Sequence, residues 1–296
     1  MRTVYLGTSA FAADVLERLA RSPHRPALVV TRPDRPAGRG RRLVAPPVLS
    51  AAQALGLDVA QPDDVNEEAA RAQIASVSPD VVVVCAFGAL IRAELLAEHD
   101  MLNVHPSLLP RWRGAAPIER AIMAGDAETG VAIMQVTAGL DSGPVCLVER
   151  ERIRDDDTFG TLSARLAALG GELLVRALDE RPACVEQPDD GVTYAEKISA
   201  EDRLLDPRSS SAAELARTVR ALSPHVGARL ALPDGSYLGV WGAQPAADAG
   251  REPGTLVNEG ERLLLTTVDG ALELTLVQPP GKKQMPAADY LRGHAL

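Results

Sequence analysis

Residues 80–86 read Asp-Val-Val-Val-Val-Cys-Ala. After its first position the run is apolar throughout and β-branched four times in succession, so a strand made from it has no face to give to water. Such a strand is stable only inside a sheet covered on both sides, which asks for helices over both faces. Val4-Tyr5-Leu6-Gly7 reads as a second buried strand, Thr8-Ser9-Ala10 opens a helix reaching about Arg21, and Ala27-Leu28-Val29-Val30-Thr31 is the next strand. Together these form a βαβ unit. The alternation continues, with helices expected over residues 47–55, 67–76, 93–98, 117–124 and 159–178, and strands over 58–60, 130–136 and 145–153. Residues 1–182 are therefore expected to fold as a doubly wound, Rossmann-like α/β domain. The first turn, Gly7-Thr8-Ser9-Ala10-Phe11, lacks the G-x-G-x-x-G spacing that lets a backbone approach a pyrophosphate, which argues against a dinucleotide-dependent dehydrogenase.

From Arg181 the texture turns polar, and residues 183–204 read as a linker. A helix over 210–222 follows, then short alternating segments at 228–232, 237–241, 254–257, 262–267 and 272–277, separated by Asp-Gly and glycine-rich turns. That pattern predicts a small OB-like β-barrel over residues 205–296.

Cys85, Cys146 and Cys184 are odd in number and widely spaced, which argues against a disulfide framework and against zinc, and favours a reduced, cytoplasmic setting. The chain runs into its first strand without a secretory segment, and no apolar run reaches membrane-spanning length. A monomer is expected, with no membrane partner and no metal, since the five histidines are scattered. The net charge of −9 speaks against a nucleic-acid partner overall. One segment runs the other way: residues 32–42 carry five arginines against one aspartate and are broken by Pro and Gly, so no regular element fits them. A local basic patch can override the total charge.

The chemistry-bearing stretch is Asn103-Val104-His105-Pro106-Ser107-Leu108-Leu109-Pro110-Arg111-Trp112-Arg113-Gly114, followed by Gly139-Leu140-Asp141-Ser142-Gly143. Asn103 and His105 are two apart at the end of an apolar run, so in a strand both side chains share one face. An amide, an imidazole and a carboxylate brought together suit a reaction that builds and collapses a tetrahedral oxyanion. No serine or cysteine nucleophile signature accompanies them. Taken singly, each also has a structural reading: a histidine satisfied at a strand end, an asparagine bonded to local backbone, an aspartate shaping a glycine-flanked loop.

These residues resemble the folate-dependent formyltransferases, whose shared pattern is an Asn-x-His pair on a strand, a Ser-Leu-Leu-Pro turn, an Arg-Gly and a later Asp. The match continues through Ala115-Ala116-Pro117-Ile118, Glu128-Thr129-Gly130 and Ile133-Met134-Gln135, and returns at Tyr194-Ala195-Glu196-Lys197. The family's usual Gly-Thr-Pro in the first turn is Gly7-Thr8-Ser9 here.

The resemblance implies a formyl donor, 10-formyltetrahydrofolate, and a catalytic set of Asn103, His105 and Asp141. In that set Asn103 and His105 donate to the oxyanion, and Asp141 pairs with the imidazole and assists proton transfer. It implies that Ser107, Leu108, Leu109 and Pro110 form the folate-binding turn, and that Phe87 and Gly88 help wall the pterin pocket. The arginine segment and the C-terminal domain resemble the branch whose acceptor is initiator methionyl-tRNA. Arg35, Arg39, Arg41 and Arg42, with Lys282 and Lys283, are then the expected tRNA contacts. Left open are a formyltransferase for a small amine, a formyltetrahydrofolate hydrolase using the same three residues, and a catalytically silent folate- or RNA-binding module.

Overall fold

The computed structural model describes residues 1–37, 42–247 and 249–294. The elements are, in chain order, β1 Thr3–Gly7, α1 Ala10–Ala20, β2 Pro26–Val30, β3 Arg35–Ala37, β4 Arg42–Val44, α2 Pro47–Ala54, β5 Val59–Ala60, α3 Glu68–Ser76 and β6 Val81–Cys85. Then come α4 Ala93–Glu98, β7 Met101–His105, β8 Arg113–Gly114, α5 Pro117–Ala124, β9 Glu128–Gln135, β10 Val145–Arg152, α6 Phe159–Glu180 and β11 Tyr194–Ala195. The remainder is α7 Ala212–Leu222, β12 Ala228–Ala231, β13 Tyr237–Ala246, β14 Leu256–Glu259, β15 Arg262–Thr266, β16 Ala271–Gln278, β17 Met285–Pro286 and α8 Ala287–Gly293.

The chain divides into two compact units that interleave rather than follow one another: residues 1–117, 128–152 and 163–195 form one, and 118–127, 153–162 and 196–296 the other. The first holds a seven-stranded sheet in the order β10-β9-β7-β6-β1-β2-β5. Strands β5, β2, β1, β6 and β7 are mutually parallel, β9 runs antiparallel to β7, and β10 runs antiparallel to β9 and so in the direction of β7. All five residues of β6 are buried, as their lack of a polar face demands. Strand order reverses between β1 and β6, and the crevice beyond the carboxyl ends at such a reversal is where open α/β sheets bind ligands. Ser9, in place of the family's proline, is the N-cap of α1, its side chain accepting from the Ala12 N–H at 3.2 Å.

The second unit holds an antiparallel sheet, β12-β13-β16-β15-β14, with β17 also paired to β16. Its core sets Leu215, Val219 and Leu222 of α7 among Leu238, Val240, Leu263, Leu265, Leu272 and Leu274. Truncating one of these leucines to alanine costs about 2–5 kcal/mol. The start of α7 carries a reciprocal capping box between Ser211 and Glu214. Register shifts between Val240 and Ala243 bend β13, and among the described residues no ladder joins β14 back to β12, so the expected barrel is open in its pairings.

Three expectations change. The arginine-rich segment is not irregular throughout: among its described residues Arg35–Ala37 form β3 and Arg42 begins β4, paired as an antiparallel ribbon with Pro36 opposite Leu43. Both strands of a ribbon are edges, so a proline without an N–H is tolerated. The cysteines are not all free either. Val145 and Val185 exchange backbone hydrogen bonds of 2.8 and 2.9 Å, which sets Cys146 and Cys184 opposite each other at a non-hydrogen-bonded position, where they form a disulfide. Sequence spacing carries no record of that approach. Residues 183–195, read as a linker, belong to the first unit, clipped to β10 by this bridge and to β8 through β11. Among the described residues no helix is long and apolar enough to cross a membrane.

Candidate active site

Strand β7 delivers the first two candidate residues. Its register places Asn103 beside Val84 and Met134, and His105 beside Ala132, so both stand at the carboxyl end of the strand. Val104 faces the other way and is buried, with its Cγ1 3.0 Å from where a side chain on Gly170 of α6 would begin.

His105 is buried, and both ring nitrogens have a neighbour. Nε2 lies 2.9 Å from the carbonyl oxygen of Trp112, and Nδ1 lies 3.8 Å from Oδ2 of Asp141. Asp141 Oδ1 accepts from Asn103 Nδ2 at 3.3 Å, and Oδ2 accepts from the Gly114 N–H at 2.9 Å. The structure thus brings Asn103, His105 and Asp141 together. An amide has two N–H donors and the bond to Asp141 uses one of them. Among such groups an imidazole is the stronger base and the proton relay, a carboxylate supplies the negative charge that favours its protonated form, and an amide is a neutral donor to developing negative charge.

Two partners of this set gave no sequence signal as functional groups, because they act through the backbone. Trp112 stands at φ +62°, with its N–H donating to Thr193 Oγ1 at 2.9 Å and the Arg111 guanidinium 4.3 Å over its ring. Gly114 stands at φ +124°, and a Cβ there would lie 2.7 Å from the Ala195 carbonyl oxygen. The Arg-Gly of the shared motif and the Thr-Tyr-Ala ahead of Glu196 were visible as words, but not as two parallel strands closing on Asp141.

The folate-turn residues are placed differently from one another. Ser107 is fully buried and its hydroxyl donates to the Arg111 carbonyl at 2.7 Å, so it shapes the turn instead of presenting an oxygen to a ligand. Leu108, Leu109 and Pro110 are half-buried, and the Leu109–Pro110 peptide is cis. Leu108 reaches the face of β9 only because residue 130 is glycine: a Cβ there would lie 2.5 Å from Leu108 Cδ2. The Phe87 ring packs in the core cluster that holds Val4, Leu6 and Val84, and is 4% exposed. Its carbonyl accepts from Thr8 Oγ1, while the exposed Gly88 carbonyl accepts from Arg32 Nη1.

Of the expected tRNA contacts, Arg35 is exposed on β3 and Arg42 opens β4, whereas Arg39 and Arg41 lie outside the described residues. Lys282 and Lys283 are exposed in the turn between β16 and β17, where the Lys282 carbonyl accepts from Gln278 Nε2. A cleft of about 350 Å³ opens at the opposite, amino ends of β6 and β7, beside Asp80, Asp100 and the Cys146–Cys184 bridge. None of Asn103, His105 and Asp141 lines it.

Two family descriptions cover the chain: Formyl transferase matches residues 1–178, and Formyl transferase, C-terminal domain, matches residues 197–295. The chain is similar to the methionyl-tRNA formyltransferase of Dechloromonas aromatica, at 44% identity over all of this chain and 97% of the relative. It is similar to that of Halorhodospira halophila at 45% identity, with the same coverage of 100% and 97%. Among solved structures, HypX from Aquifex aeolicus in complex with tetrahydrofolic acid has a TM-score of 0.67 at 17% identity, over 98% of this chain and 47% of that one. An N-formyltransferase from Helicobacter canadensis, in complex with folinic acid and dTDP-3-aminofucose, has a TM-score of 0.66 at 14% identity, over 93% and 98%. At those identities the solved structures speak to the fold, whereas the full-length sequence relatives speak to descent. The chain belongs to the methionyl-tRNA formyltransferase family.

Proposed function

We propose that the protein transfers the formyl group of 10-formyltetrahydrofolate to the free amino group of methionine carried by initiator tRNA. The observation that carries this reading is the convergence of Asn103, His105 and Asp141 beyond the carboxyl end of β7. The amine nitrogen bonds to the formyl carbon, whose oxygen takes up negative charge. The second N–H of Asn103 donates to that oxygen. His105 accepts the proton lost by the amine, and Asp141 stabilises the imidazolium that results. Collapse of the intermediate breaks the bond between carbon and N10, and the proton held at His105 passes to N10.

In this reading Leu108, Leu109 and Pro110 flank the donor. Arg35, Arg39, Arg41 and Arg42 supply phosphate contacts, joined by Lys282 and Lys283 from the C-terminal domain. The proposed donor and acceptor support a cytoplasmic setting, in place of the cysteine argument that the Cys146–Cys184 bridge removes. The test is to incubate the purified protein with 10-formyltetrahydrofolate and, separately, charged initiator tRNA, a small amine, or water alone. Formyl-methionyl-tRNA is expected in the first reaction only. Formylation of the small amine, or formate release at an equal rate without acceptor, overturns the assignment. Arg39→Ala should raise KM for the charged tRNA while leaving donor binding intact, with affinity falling steeply as salt rises.

A further inference from the structure

Gln187, in the segment between α6 and β11, makes all four hydrogen bonds that its amide allows. Nε2 donates to the Asp141 carbonyl at 2.9 Å and to the Gly143 carbonyl at 2.8 Å. Oε1 accepts from Arg113 Nε at 3.0 Å and Nη2 at 2.8 Å. Carbonyls on one side and a guanidinium on the other permit only one orientation of the amide, since carbonyls cannot donate and a guanidinium cannot accept.

What it holds needs holding. Asp141 stands at φ +44°, a left-handed conformation that is uncommon for a residue with a Cβ, although aspartate adopts it more readily than most. Gln187 approaches from a fixed platform, because Val185 is paired to Val145 and Cys184 is bridged to Cys146. Its other hand holds Arg113, the residue before Gly114, whose N–H donates to the Asp141 carboxylate. One side chain therefore grips both the backbone that carries the carboxylate and the strand that aims it.

We propose that Gln187 is a positioning residue for the transfer reaction, setting where Asp141 stands relative to His105 and Asn103. The inference rests on the reading of Asp141 as a member of the catalytic set. A misplacement of about 1 Å at such a group costs on the order of 100-fold in rate. Gln187→Ala in the full-length protein is expected to lower kcat about 10- to 100-fold while KM for the formyl donor stays within about twofold. Gln187→Glu keeps the size and the partner for Arg113 but turns an oxygen toward two carbonyls. It should lose kcat at least as severely, with circular dichroism showing that it remains folded at the assay temperature.

The discriminating measurement is a double-mutant cycle: in an Asp141→Ala background, Gln187→Ala should cost little further. Equal multiplicative losses in both backgrounds, full kcat in both Gln187 variants, or a rise in KM without a fall in kcat would each overturn the proposal. Near-normal turnover of Asp141→Ala alone would instead overturn the reading of Asp141 on which the proposal rests, and that result is visible without any Gln187 variant.

Discussion

The carbonyl oxygen of Trp112 lies 2.9 Å from Nε2 of His105. A carbonyl can only accept, so Nε2 carries a hydrogen whatever the charge on the ring, and the nitrogen with a choice is Nδ1, which faces Asp141. A residue seven positions along the chain thus selects the tautomer, from a backbone held at positive φ by Thr193.

His105→Asn places its amide near the position of Nδ1, and His105→Gln places its amide near Nε2. Neither amide can take up the proton lost by the amine, so both variants lose that step; if Nδ1 is the working nitrogen, the asparagine variant, whose N–H can still stand beside Asp141, should retain more of the remaining kcat than the glutamine variant. Both should lie about 10²–10³ below wild type, as should Asn103→Ala and Asp141→Ala. Steady-state kinetics on charged tRNA decides it; the reverse order would assign the chemistry to Nε2.

Gly114→Ala combines a forbidden φ with a clash against the Ala195 carbonyl. Relieving either one moves the N–H away from Asp141, so kcat should fall by about tenfold or more. Stability should drop by about 1–3 kcal/mol. Gly56→Ala is the comparison: it shares a positive φ of +64° but has nothing within 4 Å, and it should cost stability while leaving kcat alone.

Cys85 is buried, and burial pushes its thiol up to about 12 against the weaker pull of the Tyr5 hydrogen bond. Raised by about three units from 9.0, it holds about a thousandfold less thiolate at pH 8. Iodoacetamide should therefore label no thiol in the native oxidised protein, two after mild reduction and the third only on unfolding, as counted by mass spectrometry. Removing the Cys146–Cys184 bridge with Cys184→Ser should cost about 2–4 kcal/mol in denaturant unfolding. Labelling of Cys85 before unfolding would contradict its placement.

Asp202 receives both arms of Arg120, at 2.7 and 2.9 Å, and the Ser199 N–H at 2.8 Å. The Arg120 hydrogen bonds hold its carboxyl at about 2 instead of 3.8, outweighing partial burial. A depressed carboxylate stabilises the fold fully above its unfolded value, and the contribution is lost as pH falls through the folded one. Asp202→Asn should thus be less stable by about 1.5–3 kcal/mol at pH 7. The gap from wild type should begin to close below about pH 4 and be largely gone near pH 2. A gap independent of pH would remove the charge from the explanation.

Much of this was readable along the chain. The valine run could only be a covered central strand, the two-residue spacing could only put Asn103 and His105 on one face, and a helix was expected over 210–222, where α7 runs from Ala212 to Leu222. Such features are local: they follow from backbone periodicity, burial and side chains within a turn of each other. The extended motif marked Asp141 as well, by likeness instead of by physics.

Only the tertiary structure revealed what surrounds those residues. Gly114 reaches Asp141 through an N–H and Trp112 reaches His105 through a carbonyl, and since neither group differs from one residue type to the next, neither contact could be read from the sequence. Gln187 is 46 residues from Asp141 and 74 from Arg113, in a stretch whose polarity looked like that of a connector. The cysteine pair met for the same reason: an antiparallel bridge joined segments that no spacing rule links. Periodicity states which side chains must leave water, but which backbone atoms then meet is decided when distant segments close on one another.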